Sequence, residues 1–277
     1  MNFSPVRAGV TMVLFGLLIA VLVVPYVVLL GLWPAKRHVF GQLFFKGCLS
    51  LTGIKVNVVG QPRKNVAMFA SNHSSYLDII ILGAVIREGV FVAKSEVADW
   101  PLFGILAQLA RTVFISRDPR DAKRQRQELS YRMVRGTSLV LFPEGTSTDG
   151  SEVKPFKSSL FAALDDVPGK AKVQPITVVY TRKRTGEPMS QPEREAFTWF
   201  GDMTLAPHLI NVFGNGGCEV DVIFSAPFIS AESFDRKQLA QACENIVSDN
   251  MAETLAALDP RPVSLEHESD PIFIGAE

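Results

Sequence analysis

The chain lacks an excess of either charge, and it lacks clustered cysteines. It contains 28 Lys plus Arg and 28 Asp plus Glu, so its formal net charge is zero. Nucleic-acid-binding proteins usually carry a basic excess, and we therefore predict no nucleic-acid partner. The three cysteines, Cys48, Cys218 and Cys243, lie far apart, without a Cys-x-x-Cys pair or a Cys/His cluster. This spacing predicts neither a metal site nor a disulfide framework, and it fits a reducing, cytoplasmic compartment.

Charge is missing altogether between Ala8 and Ala35. This run is long enough to cross a hydrocarbon core, which needs about 20 apolar residues. A cleaved signal peptide is the alternative, but its apolar core is usually shorter and ends at a small-residue cleavage site. Here the run continues through Trp33, so we predict an uncleaved membrane anchor at residues 1–38. Pro25 leaves two topologies open, a single span or a segment that enters and leaves the same leaflet.

The rest of the chain alternates short β-rich runs with helical stretches. This alternation predicts an α/β fold in which helices flank a mostly parallel sheet, within one domain at residues 39–260. The predicted strands are Lys55–Val59, Val66–Ser71, Val90–Ala93, Thr112–Ile115, Ser138–Phe142, Val173–Tyr180 and Glu219–Phe224. The predicted helices are Leu77–Arg87, Leu102–Ala110, Asp121–Arg135, Ser158–Asp165 and Ser233–Leu258.

Three segments fall outside this alternation. Val39–Leu51 is either an interfacial amphipathic helix or the first helix of the fold. Thr181–Asp202 is polar and contains two prolines, which is typical of a long surface excursion. The tail at residues 261–277 is acidic, and we expect it to be loosely ordered.

The most informative short segment runs from Asn72 to Asp78 and reads Asn-His-Ser-Ser-Tyr-Leu-Asp. On a regular helix His73 and Asp78 would lie roughly 140° apart. A hydrogen bond between them therefore requires His73 on the turn before the helix, where Ser74 or Ser75 could cap it. His73 would then be a general base whose second ring nitrogen is held by Asp78. The alternative is a capped helix with a structural histidine.

Two further strands end in polar residues. Phe142-Pro143-Glu144-Gly145 follows an apolar strand and would place a carboxylate at the carboxyl edge of the sheet, where ligands bind in open α/β sheets. Glu144 could order the site or bind a ligand hydroxyl, and Gly145 permits close backbone approach. Arg117 follows another strand and suits a phosphate or carboxylate. The alternatives are an ordinary turn and a surface arginine.

His-x4-Asp, Phe-x-x-Arg, Phe-Pro-Glu-Gly-Thr and then an apolar segment with a central proline, in this order, resemble the glycerolipid acyltransferase family. The resemblance covers roughly Val66 to Tyr180 and extends to the N-terminal anchor. It implies that His73 is the base, that Asp78 is its partner and that Arg117 contacts the acceptor headgroup. It also implies a site shaped by Glu144, Gly145 and Thr146.

The same resemblance implies a membrane-bound O-acyltransferase of lipid biosynthesis that uses no cofactor or metal. The acyl donor would be a thioester of acyl carrier protein or coenzyme A, and the acceptor a lysolipid. The location would be a bacterial-type inner membrane. By the positive-inside rule, Arg7, Lys36 and Arg37 around the uncharged run slightly favour a catalytic domain that faces the cytoplasm. A membrane-tethered lipid-binding protein and a lipid hydrolase are the alternatives, although no Gly-x-Ser-x-Gly elbow is present.

The acceptor stays open between two lysolipids. In lysophosphatidic acid acyltransferases an arginine commonly follows Glu-Gly-Thr, but Ser147 stands here. Pro155–Phe161 and Trp199–Met203 are similar to acyltransferases that complete ornithine lipids from lyso-ornithine lipid. The basic stretch Asp121–Arg135 is either a solvated helix face or a patch for anionic lipid or an acidic carrier protein.

Overall fold

The computed structural model describes residues 3–32, 37–116, 118–169, 171–229 and 235–258. Within them, strands and helices alternate along most of the chain, as predicted. The strands are β1 (Lys55–Val59), β2 (Met68–Ser71), β3 (Gly89–Lys94), β4 (Val113–Ile115), β5 (Ser138–Leu141), β6 (Lys172–Lys183), β7 (Cys218–Phe224) and β8 (Phe228–Ile229). The α-helices are α1 (Pro5–Leu32), α2 (Arg37–Thr52), α3 (Leu77–Val85), α4 (Phe103–Leu109), α5 (Ala122–Val134), α6 (Gln191–Glu195), α7 (Leu205–Asn215) and α8 (Arg236–Leu258).

The strands form one sheet in the order β1-β7-β6-β2-β5-β3-β4, and β8 pairs with β6. Five of the pairings are parallel, including β2 with β5 and β2 with β6. Only β6 pairs antiparallel with its neighbours β7 and β8 among the described strands. The mostly parallel sheet expected from the sequence is therefore confirmed.

Helices cover both faces of the sheet, because the central strands are apolar on both sides. One buried cluster joins Val140 of β5 to apolar residues of α2, α3 and α7. The second joins Leu139 and Leu141 to α5, α8 and a 3₁₀ helix at Ser158–Asp166. The alternation along β5 divides the interior into two cores, and the architecture has three layers.

The helices α1 and α2 form an antiparallel hairpin. Phe15 packs near Phe44 and Tyr26 packs near Phe40, so the two helices run in opposite directions. Pro25 lies inside α1 without ending it. The segment Pro5–Val27 is long and apolar enough to cross a membrane, and only 6% of its most apolar window is buried in the protein.

The second helix, α2, connects this hairpin to the α/β domain. Cys48 and Leu49 are buried. A Cβ added at Gly83 of α3 would lie 2.5 Å from the ring of Phe45, so the two helices approach closely at that glycine. Of the two interpretations of Val39–Leu51, packing as the first helix of the fold is the one observed.

Several sequence predictions were wrong in detail. The Thr181–Asp202 segment is not a simple surface excursion, because Met189, Phe197 and Thr198 are buried and β6 extends to Lys183. Ser158–Asp166 forms a 3₁₀ helix rather than an α-helix. The sequence analysis missed α6, α7 and the short strand β8. The tail at residues 261–277 lies outside the described residues.

Candidate active site

Two neighbouring parallel strands bring the candidate residues together. Ala70 of β2 pairs with Leu141 of β5, so the loops that follow these strands leave the same edge of the sheet. The N–H of Thr148 donates to the carbonyl of His73 at 2.9 Å, which joins the two loops directly. The histidine motif and the Pro-Glu-Gly motif, 71 residues apart in sequence, therefore form one site.

Asp78 organises the turn before α3. Its Oδ2 accepts hydrogen bonds from the N–H groups of Ser74 at 2.7 Å and Ser75 at 2.9 Å. Its Oδ1 accepts from the hydroxyl of Tyr180 at 2.7 Å. The predicted serine cap is wrong, because Tyr76 occupies the N-cap position without a side-chain cap. The aspartate caps the turn instead, and its fully buried carboxylate is well supplied with donors.

His73 lies on this turn, before the helix, as the geometry of the motif requires. Its Nδ1 lies 2.9 Å from Oδ2 of Asp78, so the Nδ1–H donates to the carboxylate. Its ring stacks on Phe142, with centroids 4.0 Å apart and planes 17° apart. The imidazole is 19% exposed, while the carboxylate of Asp78 is fully buried. This arrangement leaves Nε2 as the nitrogen available to take a proton.

Glu144 is buried, and both of its oxygens bind the backbone. Oε1 accepts from the N–H of His73 at 2.6 Å, and Oε2 accepts from the N–H of Lys154 at 2.9 Å. Burial raises the pKa of the Glu144 carboxyl to about 8, against the opposing effect of these two hydrogen bonds. Of the two roles predicted for Glu144, these contacts fit ordering of the site rather than contact with a ligand hydroxyl.

The remaining predicted site residues are Gly145, Thr146 and Arg117. Gly145 has φ +68°, a conformation that glycine adopts easily, and its N–H donates to the carbonyl of Phe142 at 3.1 Å. Thr146 is exposed beside it. Arg117 lies outside the described residues. Three of the four residues expected to bind substrate therefore lie in the loop that contacts His73.

Sequence reasoning missed two residues that hold this site. Asn72 is buried, and its side chain exchanges two hydrogen bonds with the backbone of Val178, at 2.9 and 2.8 Å. Tyr180, the last residue of a predicted strand, donates to Asp78. A tyrosine inside an apolar strand is a detectable signal, since a buried hydroxyl usually needs a partner. Its partner could not be identified from sequence, because 102 residues separate the two.

An apolar cavity of about 190 Å³ lies next to the site, between the hairpin and the α/β domain. It is lined by Phe15, Leu22, Tyr26, Phe40, Phe44, Tyr76, Ile80, Phe91, Trp100 and Phe103, among others. A stack of rings leads from the cavity to the dyad of His73 and Asp78, because Phe91 stacks on Phe142 and Phe142 stacks on His73. Apolar space of this kind suits a hydrocarbon chain.

The Acyltransferase family model matches residues 55–179, the part of the chain that contains the dyad and the Pro-Glu-Gly turn. A lyso-ornithine lipid O-acyltransferase from Rhodobacter capsulatus is 41% identical over 214 residues, which are 74% of this chain and 73% of that protein. The chain belongs to the acyltransferase family that includes the lyso-ornithine lipid and 1-acyl-sn-glycerol-3-phosphate enzymes. It is an acyltransferase of this type.

Two further similarities agree with this assignment. A 1-acyl-sn-glycerol-3-phosphate acyltransferase from Neisseria gonorrhoeae is 31% identical over 227 residues, 79% of this chain and 84% of that protein. The crystal structure of the 1-acyl-sn-glycerophosphate acyltransferase from Thermotoga maritima matches with a TM-score of 0.63 at 19% identity. This match covers 90% of this chain and 96% of the Thermotoga chain, and it supports the fold.

Proposed function

We propose that this chain is a membrane-bound acyltransferase that acylates the free hydroxyl of lyso-ornithine lipid, with lysophosphatidic acid as an equal or weaker acceptor. The hydrogen bond between His73 and Asp78 beside an apolar cavity is the observation that carries the proposed chemistry. Two relatives with 41% identity are named for lyso-ornithine lipid, whereas two Neisseria relatives named for 1-acyl-sn-glycerol-3-phosphate share 30–31%. Ser147, in place of the common arginine, favours the same acceptor.

The transfer would proceed by direct attack, without an acyl-enzyme. Nε2 of His73 takes the proton of the acceptor hydroxyl, and the oxygen adds to the thioester carbonyl of the donor. Asp78 holds the imidazolium through Nδ1–H. The tetrahedral intermediate then expels the thiolate, which receives the proton from His73. The new ester and a free thiol leave, and the step needs no metal.

Backbone amides are the proposed donors to the oxyanion of that intermediate. The amides of Gly145 and of the turn before α3 are already used, since Gly145 donates to Phe142 and Ser74 and Ser75 donate to Asp78. The N–H groups of Thr146 and Ser147 donate to none of the described residues. We assign the oxyanion to these two groups.

The apolar cavity would hold a fatty acyl chain, with its reactive end toward the ring stack of Phe91, Phe142 and His73. The apolar face of α1 would lie in the bilayer, where lysolipid acceptors are found. The donor would be a thioester of acyl carrier protein or coenzyme A approaching from the cytoplasm. The proposed location is the inner membrane of a bacterial-type cell.

The test is a side-by-side assay of the purified protein in detergent with lyso-ornithine lipid and lysophosphatidic acid, using one acyl carrier protein thioester as donor. We expect ester product from lyso-ornithine lipid at a rate equal to or above that from lysophosphatidic acid. Release of free fatty acid instead would indicate a hydrolase, and binding without any product would indicate a lipid-binding protein. Transfer to lysophosphatidic acid alone would overturn the proposed acceptor.

A further inference from the structure

An ammonium group lies against the turn that orders the dyad, and the mechanism above does not use it. A methyl group built on Gly145 would lie 2.5 Å from Nζ of Lys157, and 3.3 Å from its Cδ and Cε. The lysine side chain therefore crosses directly over the Gly145 backbone. It fills the space that any larger residue at position 145 would need.

Hydrogen bonds fix the backbone at Lys157 and at the residue before it. Its N–H donates to the carbonyl of Pro143 at 3.0 Å, which ties it to the Pro-Glu-Gly turn itself. The preceding N–H, of Phe156, donates to Oε2 of Glu244 at 2.7 Å, and the Phe156 ring is buried. These bonds place the main chain of Lys157 beside the turn, and its exposed side chain reaches over Gly145.

No carboxylate neutralises this ammonium among the described residues, where Lys157 forms no ion pair. Glu144, which precedes Gly145 in the turn, uses both oxygens to accept N–H groups of the backbone. An unpaired ammonium at the edge of a reaction site attracts an anionic ligand, to which it can donate charge-assisted hydrogen bonds.

We propose that Nζ of Lys157 binds the anionic group of the acceptor headgroup and so positions the acceptor hydroxyl at Nε2 of His73. This inference rests on the proposed function, and it adds a residue that determines acceptor specificity. The anion is a carboxylate in lyso-ornithine lipid and a phosphate in lysophosphatidic acid, and both lie a few bonds from the hydroxyl that is acylated. A single ammonium matches the single charge of the carboxylate.

The first arm of the test measures acceptor binding without a donor. Acceptor in detergent micelles is titrated into the protein, and tryptophan fluorescence is followed, since Trp199 lies in the loop bonded to Ser74. We expect Lys157→Met to weaken binding of lyso-ornithine lipid about tenfold, the scale of one charge-assisted hydrogen bond. Lys157→Arg keeps the charge and should stay within about threefold of the wild type.

The matched control is Lys237→Met, which removes an exposed lysine from the first turn of α8 and should leave binding unchanged. The second arm uses the methyl ester of lyso-ornithine lipid, which keeps the hydroxyl but lacks the negative charge. Wild type should bind this ester about as weakly as Lys157→Met binds the acid. Lys157→Met should bind the ester with the same affinity as wild type. Lysophosphatidic acid shows whether a phosphate is bound in the same way.

The kinetic arm separates this inference from the proposed function. Acyl transfer to lyso-ornithine lipid by the wild type tests the proposed function. The ratio of KM between Lys157→Met and wild type tests whether Lys157 binds the acceptor. We expect KM for the acid to rise about tenfold with kcat nearly unchanged. Equal losses with the acid and its methyl ester, or a fall in kcat alone, would overturn the role of Lys157 and leave the acyltransferase reaction standing.

Discussion

The turn that carries His73 and the N-terminal hairpin are stabilised by opposite means. At the turn, buried polar groups are satisfied by specific hydrogen bonds, with Asp78 alone accepting from two backbone amides, a tyrosine and an imidazole. The hairpin is built from apolar contacts such as Phe15 with Phe44, and most of α1 faces outward. Directional bonds fix a reacting atom in one position, whereas apolar contacts tolerate exchange of one hydrocarbon for another. Substitutions should therefore be costly in the first region and mild in the second.

The largest effect is expected at the dyad. His73→Ala removes the base and should lower turnover by about 10²-fold or more. Asp78→Asn should also be severe, because an amide no longer supplies two pure acceptor oxygens and favours the wrong imidazole tautomer. Turnover is measured in detergent with a saturating donor and acceptor.

Each dyad variant needs evidence of a folded chain. Circular dichroism and recovery in the membrane fraction should match the wild type for His73→Ala, since the imidazole is partly exposed. A folded His73→Ala protein with wild-type turnover would refute the general-base mechanism.

The second largest effect on turnover is expected at Glu144. Glu144→Gln keeps the shape of the side chain but replaces one acceptor oxygen with an NH₂ donor, which faces either the N–H of His73 or that of Lys154. Leaving a buried N–H unsatisfied costs about 1–3 kcal/mol, and the turn that carries His73 should shift. We expect a loss of unfolding free energy in this range and about a tenfold loss of turnover. Unchanged stability and activity would show that the carboxyl group of Glu144 does not order the turn.

The pH dependence of stability provides an independent measurement on the same residue. Burial raises the pKa of Glu144 from 4.5 to about 8, so between these values the folded chain holds a proton that the unfolded chain releases. The contribution of Glu144 to stability is therefore fully present below about pH 4.5 and is lost as pH rises towards 8. The slope is at most about 1.4 kcal/mol per pH unit. Denaturant unfolding of wild type should show this loss, and Glu144→Gln should lack it.

A smaller effect is expected at Tyr180. Tyr180→Phe removes one of the donors to Asp78 and keeps the ring, so we expect a loss of about 1–2 kcal/mol in stability and a several-fold loss of turnover. Tyr131→Phe, at an exposed position on α5, is the matched control and should change neither quantity. Equal behaviour of the two variants would mean that the tyrosine bond does not support the dyad.

The smallest effect on chemistry is expected in the hairpin. Val13→Glu combined with Leu17→Glu places two charges on an exposed, apolar face of α1. Charges in a bilayer cost about 2.5–3.5 kcal/mol each on insertion scales, so alkaline carbonate should release more of this variant from membranes than of wild type. Turnover in detergent should change by less than about twofold.

Alanine at the same two positions is the control and should remain in the membrane fraction with the wild type. Mass spectrometry of the wild-type chain should show an uncleaved N-terminus. Release of wild-type protein by carbonate, or a mature chain that begins beyond Trp33, would contradict a membrane anchor.

Local patterns predicted the strands well and the outer helices less well. The runs Lys55–Val59 and Ser138–Phe142 are rich in valine and other apolar residues, and both form strands within one residue of the predicted ends. By contrast, α7 was missed, although Val212 and Phe213 on it are buried. Its apolar residues follow a segment with the polar composition of a loop, and the helix packs against α1 and the core on that side of the sheet.

Sequence alone identified the residues that we propose to carry the chemistry. The order of the motifs, the uncharged run of the anchor and the position of His73 before a helix are local properties, and short-range sterics and periodicity express them directly. The tertiary structure alone decided which groups meet. It placed Tyr180 on Asp78, the two oxygens of Glu144 on backbone amides and the ammonium of Lys157 over Gly145. These contacts depend on strand order and register, which bring distant segments to one edge of the sheet and which local patterns do not specify.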